Sequence, residues 1–115
     1  MRDRPVSVME LAGYLRRASE LLTEVERDAV IDLIAYEPTC GDLIPGTGGV
    51  RKLRVALAGG GKRGGARVIY YFYNEDHPAL LLTLYAKNEK ADLRGAEKRI
   101  IIGLVTEIVE QWRRK

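Results

Sequence analysis

Three runs of strand-forming residues follow one another in the second half of the chain, and they constrain the fold more than any other feature. Residues 50–57 alternate apolar with basic side chains, 66–73 are β-branched and aromatic, and 79–87 are almost continuously apolar. The connecting segments, residues 58–65 and 74–78, have lengths suited to antiparallel hairpins. A sheet of this kind must cover an apolar face, and the flanking sequence provides helices to do it. Leu11, Tyr14, Leu15, Ala18, Leu21 and Leu22 recur at helical spacing. Thr23-Glu24-Val25-Glu26 reads as a capping box opening a second helix, with Val25, Ala29, Val30, Leu33 and Ile34 facing inward. That helix ends near Glu37, because Pro38 disfavours helical geometry in the residue before it. The two helices are expected as an antiparallel hairpin turning at Leu22–Thr23, preceded by a short strand at residues 6–8. Residues 96–112 form a last amphipathic helix with Ile101, Val105, Ile108 and Trp112 along one stripe. The expected order is β-α-α-β-β-β-α: an α+β fold whose two N-terminal helices and C-terminal helix pack on one face of a small antiparallel sheet.

At 115 residues the chain is expected to be a single domain spanning 1–115. Its apolar runs are far shorter than the roughly 20 residues that cross a bilayer, so no membrane partner is expected. The N-terminal stretch MRDRPVSVMEL lacks an apolar export signal, and Cys40 is the one cysteine. A cytoplasmic location is the expectation. Cys40 itself reads as a small packing residue.

Charge is distributed unevenly. Residues 43–74 carry six basic side chains (Arg51, Lys52, Arg54, Lys62, Arg63, Arg67) and no acidic one. With those six removed, 13 basic residues face 16 acidic ones elsewhere. Concentrated positive charge of this kind suits a polyanion, and RNA is the expected class. The plainer alternative is a solvated strand whose lysines guard an edge. Strand alternation places Leu53, Val55 and Leu57 on one face and Lys52 and Arg54 on the other. The same parity expects an open face carrying Lys52, Arg54, Arg67, Tyr71, Tyr85 and Lys87, with Ile69 an apolar intruder. Cations beside aromatics suit phosphate contact with base stacking, although a lone tyrosine on a sheet is more often a packing residue. Lys62 and Arg63 sit in the glycine-rich turn, where nine of the twelve glycines fall between Gly41 and Gly65. That turn lacks the GK[ST] of a phosphate-binding P-loop.

Other chemistry is poorly represented. His77 is the one histidine and lies in the turn NEDHP, and no metal-ligand spacing occurs, so neither metal nor cofactor is expected. The acidic pairs Glu24/Glu26 and Glu75/Asp76 are expected away from the basic face, which disfavours two-metal nuclease chemistry. RNA can be cut by its own 2′-hydroxyl if an enzyme orients the strand, removes one proton and stabilises negative charge, work that cations can do.

The blocks GDLIPGTGGVRKLRVA, GGARVIYYFY and LLLTLYAKNEKADL, followed by a helix, resemble the HigB-like branch of the RelE/ParE toxin superfamily from about Val6 to the C-terminus. The resemblance implies a RelE-like domain and the toxin of a type II toxin–antitoxin pair. It further implies metal-independent cleavage of mRNA in the ribosomal A site, leaving a 2′,3′-cyclic phosphate and a 5′-hydroxyl. By position it implies Lys52 and Arg54 as phosphate binders or base, Arg67 as transition-state stabiliser, and Lys87 and Lys90 as the cluster after the last strand. Arg51, Lys62, Arg63, Tyr71 and Tyr85 are expected as further RNA contacts. Where some relatives carry an arginine and a C-terminal tyrosine, this chain has Asn88 and Arg94, which leaves base and acid open. The expected partners are ribosome, mRNA and a cognate antitoxin of helix-turn-helix type. Two alternatives stand beside this reading: a ParE-like gyrase inhibitor without nuclease activity, and a non-catalytic RNA-binding module.

Overall fold

The computed structural model describes residues 3–57 and 65–114. Within them the order is β1 (Val8–Glu10), α1 (Ala12–Leu21), α2 (Glu24–Tyr36), β2 (Asp42–Leu43), β3 (Val50–Val55), β4 (Ala66–Tyr71), β5 (Ala79–Ala86) and α3 (Gly95–Arg113). Among the described residues this gives an α+β fold of three helices and one five-stranded sheet, ordered β1-β5-β4-β3-β2.

The hairpin series β3-β4-β5 is antiparallel as expected, but the sheet as a whole is mixed. β1 lies at Val8–Glu10 instead of residues 6–8 and pairs parallel to β5, Val8 opposite Ala79. Val6 stays outside the strand and is buried, its amide bonded to the Ala35 carbonyl at 2.9 Å. The connector GDLIPGTGG also contributes a short edge strand, β2, which alternation cannot reveal in two residues.

The helices do not share one face. Tyr14 and Ala18 of α1 and Val30 and Ile34 of α2 pack with Val68, Tyr70, Leu81 and Leu84 on one side. Ile101, Val105 and Val109 of α3 pack with Val50, Ile69, Leu80 and Tyr85 on the other. Two-sided coverage explains why β5 reads as a nearly unbroken apolar run and why Ile69 is fully buried. It also overturns the expectation of an open face bearing Arg67, Tyr71 and Tyr85: all three are buried, the two tyrosines within the core cluster on the α3 side.

The Thr23 capping box forms, with Thr23 Oγ1 and Glu26 Oε1 exchanging bonds with each other's backbone amides. Val25 and Ala29 nevertheless face outward, Val25 being 77% exposed. At about 100° per residue, Val25 is turned roughly 140° from Val30, so the packed line runs through Val30 and Ile34. In β5 a register shift at Ile69/Tyr70 breaks strict alternation. Tyr85 and Leu82 consequently lie on the α3 side while Leu84 and Leu81 lie on the other.

Candidate nucleic-acid interface

The cationic site grows from one cross-strand row. Arg54 of β3 is opposite Arg67 of β4, and Arg67 is opposite Tyr85 of β5. Directly opposed residues have Cβ atoms about 4.5–5.5 Å apart, so the two arginines and the tyrosine form one contiguous strip. Lys52 lies two residues along β3 on the same face, with Asp42 of β2 as its partner across the strands. The strip sits at the end of the sheet where the β3–β4 connection returns through Gly65. Gly65 has φ +61°, and a Cβ there would stand 2.1 Å from the Val55 carbonyl oxygen, so only glycine fits.

Exposure within the strip is graded. Arg54 is exposed and Lys52 half-buried, whereas Arg67 is 6% exposed and Tyr85 only 2%. The Arg67 guanidinium donates to the Ala66 carbonyl at 3.3 Å. The Tyr85 hydroxyl is buried, and among the described residues it has no hydrogen bond of good geometry. Burial raises its pKa first, and nearby Asp92 adds to that while Arg67 opposes it.

The segment between β5 and α3 folds back over this strip. Lys87 N bonds to the Gly65 carbonyl at 2.9 Å, and the Glu89 carboxylate accepts from the Ala86 amide at 3.0 Å while pairing with Arg17 of α1. Lys90 is thereby set above the Tyr85 ring, its Nζ 5.2 Å from the centroid, within range of a cation–π contact. Glu97, in the first turn of α3, pairs with Lys90 through Oε2 and accepts from the Arg94 amide through Oε1 at 2.8 Å. Those two bonds hold its carboxyl below the usual range, Lys90 contributing most. Asp92 accepts from the Leu93 amide at 2.8 Å and lies 3.5 Å from Lys52 Nζ. The Leu93 amide is the main cause of its lowered pKa, with Lys52 adding to it.

The structure therefore brings together Lys52, Arg54, Arg67, Tyr85 and Lys90. It separates the other candidates. Lys87 turns its ammonium to the Ala91 carbonyl at 2.9 Å and closes its own loop. Arg51 is opposite Tyr70 and ties down the α2–β2 connector through the Gly41 and Thr39 carbonyls, at 2.7 and 3.1 Å. Tyr71 is opposite Val50, four residues along β4 from Arg67, and its ring stacks 6.5 Å from that of Tyr73. Lys62 and Arg63 lie outside the described residues. His77 stacks on Trp112 at 4.4 Å, in an aromatic group with Tyr73. Cys40 is exposed rather than packed, with Sγ 3.9 Å from the Tyr70 hydroxyl; partial burial of the sulfur raises its pKa.

Asp92 and Glu97 were not anticipated at the site. The basic segment is free of acids in sequence, but the fold returns carboxylates to it from beyond β5. One signal was legible: Glu97 stands three residues after Arg94, where a carboxylate in the first turn of a helix can reach back to the amide that opens it.

The described residues thus form a small α+β fold with a cationic strip floored by a buried tyrosine at one end of its sheet. The family model for the RelE toxin of the RelE/RelB toxin–antitoxin system matches residues 41–113, and the chain belongs to that family. It is thus a toxin of a toxin–antitoxin system, in a family whose members are generally mRNA-cleaving endoribonucleases, and a cognate antitoxin is its implied partner. Among the described residues no helix is long and apolar enough to cross a membrane.

Proposed function

We propose that this protein is a HigB-like, ribosome-dependent mRNA endoribonuclease that works without a metal ion. The observation that carries the reading is the Arg54–Arg67–Tyr85 row, with Lys52 beside it and Lys90 above it. Lys52 and Arg54 hold the backbone phosphates of the message. Arg67, held by its buried setting, faces the scissile phosphate and stabilises the charge that accumulates on its non-bridging oxygens. The 2′-oxygen loses its proton and attacks phosphorus; the 5′-oxygen leaves and takes up a proton. The products are a 2′,3′-cyclic phosphate and a 5′-hydroxyl. Lys90, a compact charge over the Tyr85 ring, stabilises the departing oxygen. Ribosome dependence fits a strip with few exposed aromatic surfaces of its own, since positioning of the message then falls to the ribosome. A helix-turn-helix antitoxin covers the strip in the resting pair.

The test is cleavage of a defined message, programmed in purified ribosomes or free, with and without EDTA, and with end-group analysis of the fragments. Cyclic-phosphate ends only on ribosome-bound message, insensitive to EDTA, are expected. Intact message during translation arrest, or DNA breaks with intact message, would overturn the assignment.

A further inference from the structure

Two features of Glu97 set it apart from an ordinary helix-capping residue. Its two carboxylate oxygens are divided between different tasks: Oε1 takes the Arg94 amide and Oε2 takes the Lys90 ammonium. It is also carried in the first turn of α3, between buried Leu93 and Ile101. Lys90, by contrast, is on a turn with no regular structure.

A lysine has a flexible stem, and holding its ammonium in one place costs up to about 2 kcal/mol of rotamer freedom. Over Tyr85 the ammonium meets the negative face of the ring, a modest attraction that does not by itself choose one rotamer. The Glu97 carboxylate supplies the second point. With one contact below and one behind, Lys90 is placed before any RNA arrives. The pair is partly buried, with side-chain exposures of 23% for Lys90 and 36% for Glu97, so solvent screens it less than an open surface pair.

We propose that Glu97 is a positioning residue: it aims Lys90 over Tyr85 and thereby couples the first turn of α3 to the cleavage site. The proposal rests on the endonuclease reading for its kinetic consequence, but the placement itself is testable in the resting protein. Glu97→Gln separates the two tasks, because the amide oxygen still accepts from the Arg94 N–H while the NH₂ that replaces Oε2 faces an ammonium that also only donates.

The first measurement is the proton shift of the Lys90 ε-methylene, which the Tyr85 ring current moves upfield. In Glu97→Gln it returns to the value of a free lysine, as it does in a Tyr85→Leu control, while the circular dichroism of α3 is retained. The second is a double-mutant cycle on ribosome-dependent cleavage. Glu97→Gln and Lys90→Gln each lower kcat about tenfold with KM little changed, and the double variant is no worse than Lys90→Gln alone. An unshifted Lys90 signal in Glu97→Gln, or losses that multiply in the double variant, would overturn the assignment. If the wild-type protein cleaves nothing, the endonuclease reading fails by itself, and the methylene shift still decides whether Glu97 positions Lys90.

Discussion

Arg54 and Arg67 stand directly opposite each other on neighbouring antiparallel strands, one exposed and one buried. Like charges in directly opposed positions destabilise a sheet by roughly 0.2–1 kcal/mol. In the proposed site this juxtaposition exchanges some stability for a positive field at the message.

Removing the exposed member separates the two effects. Arg54→Ala is expected to raise unfolding stability in urea by a few tenths of a kcal/mol, up to about 1. The same variant loses phosphate contact and cleaves ribosome-bound message more slowly. A variant that is both less stable and fully active would contradict the role given to this pair.

Arg67 carries the transition-state charge in the proposed reaction. Removing a preorganised donor to such a charge costs on the order of 10²–10³ in rate. Arg67→Lys keeps the charge but loses the planar fork, so it is expected to recover only part of the loss seen in Arg67→Ala. Single-turnover cleavage on programmed ribosomes measures both. Full activity in Arg67→Lys would show that a point charge is enough.

Asp92 stands 3.5 Å from Lys52 Nζ, so in the proposed complex it competes with RNA for that lysine. Asp92→Asn frees that lysine, so single-stranded RNA is expected to bind several-fold more tightly at low salt. One more phosphate neutralised steepens the log–log salt dependence by about 0.7. Unchanged affinity and slope would mean that Lys52 does not face the backbone.

The pH dependence of stability follows from the same carboxylates. Asp92 and Glu97 have folded pKa values below their ordinary 3.8 and 4.5, because backbone amides and lysines favour their charged forms. Their contribution is present above those ordinary values and is lost as pH falls through them toward the lower folded values. Acid unfolding of the wild type therefore steepens below about pH 4.5, and Asp92→Asn/Glu97→Gln flattens that limb. Equal acid limbs in the two proteins would show that these groups are not differently charged in the folded state.

How much of this was legible in the sequence depended on the range of the signal. The capping box at Thr23 and the hairpins around β4 arise between near neighbours, and they formed where periodicity placed them. Lys52, Arg54 and Arg67 shared a face because strand parity is local. The position of α3 is a tertiary outcome: nothing within residues 95–113 tells which face of the sheet it will cover. Tyr71 and Tyr85 accordingly looked open and are buried, Tyr85 becoming a floor instead of a stacking surface. The pairing of Lys52 with Asp92 was hidden for the same reason, since 40 residues separate them in the chain.

Tyr70 offers a control on the opposite face from the site. Its hydroxyl donates to the Pro38 carbonyl at 2.9 Å and accepts from the Gly41 amide at 2.8 Å, both buried. Gly41 leaves no room for rearrangement, because a Cβ there would lie 2.7 Å from the Tyr70 ring. Tyr70→Phe strands a buried donor and a buried acceptor, each worth about 1–3 kcal/mol when left unsatisfied. The expected result is a loss of stability of that order in urea unfolding, with cleavage unchanged well below the melting temperature. The connector it holds leads into β2 and so to Asp42, the cross-strand partner of Lys52. A Tyr70→Phe protein that is folded but slow to cleave would therefore show that this tether, and not the strip alone, sets the geometry of the site.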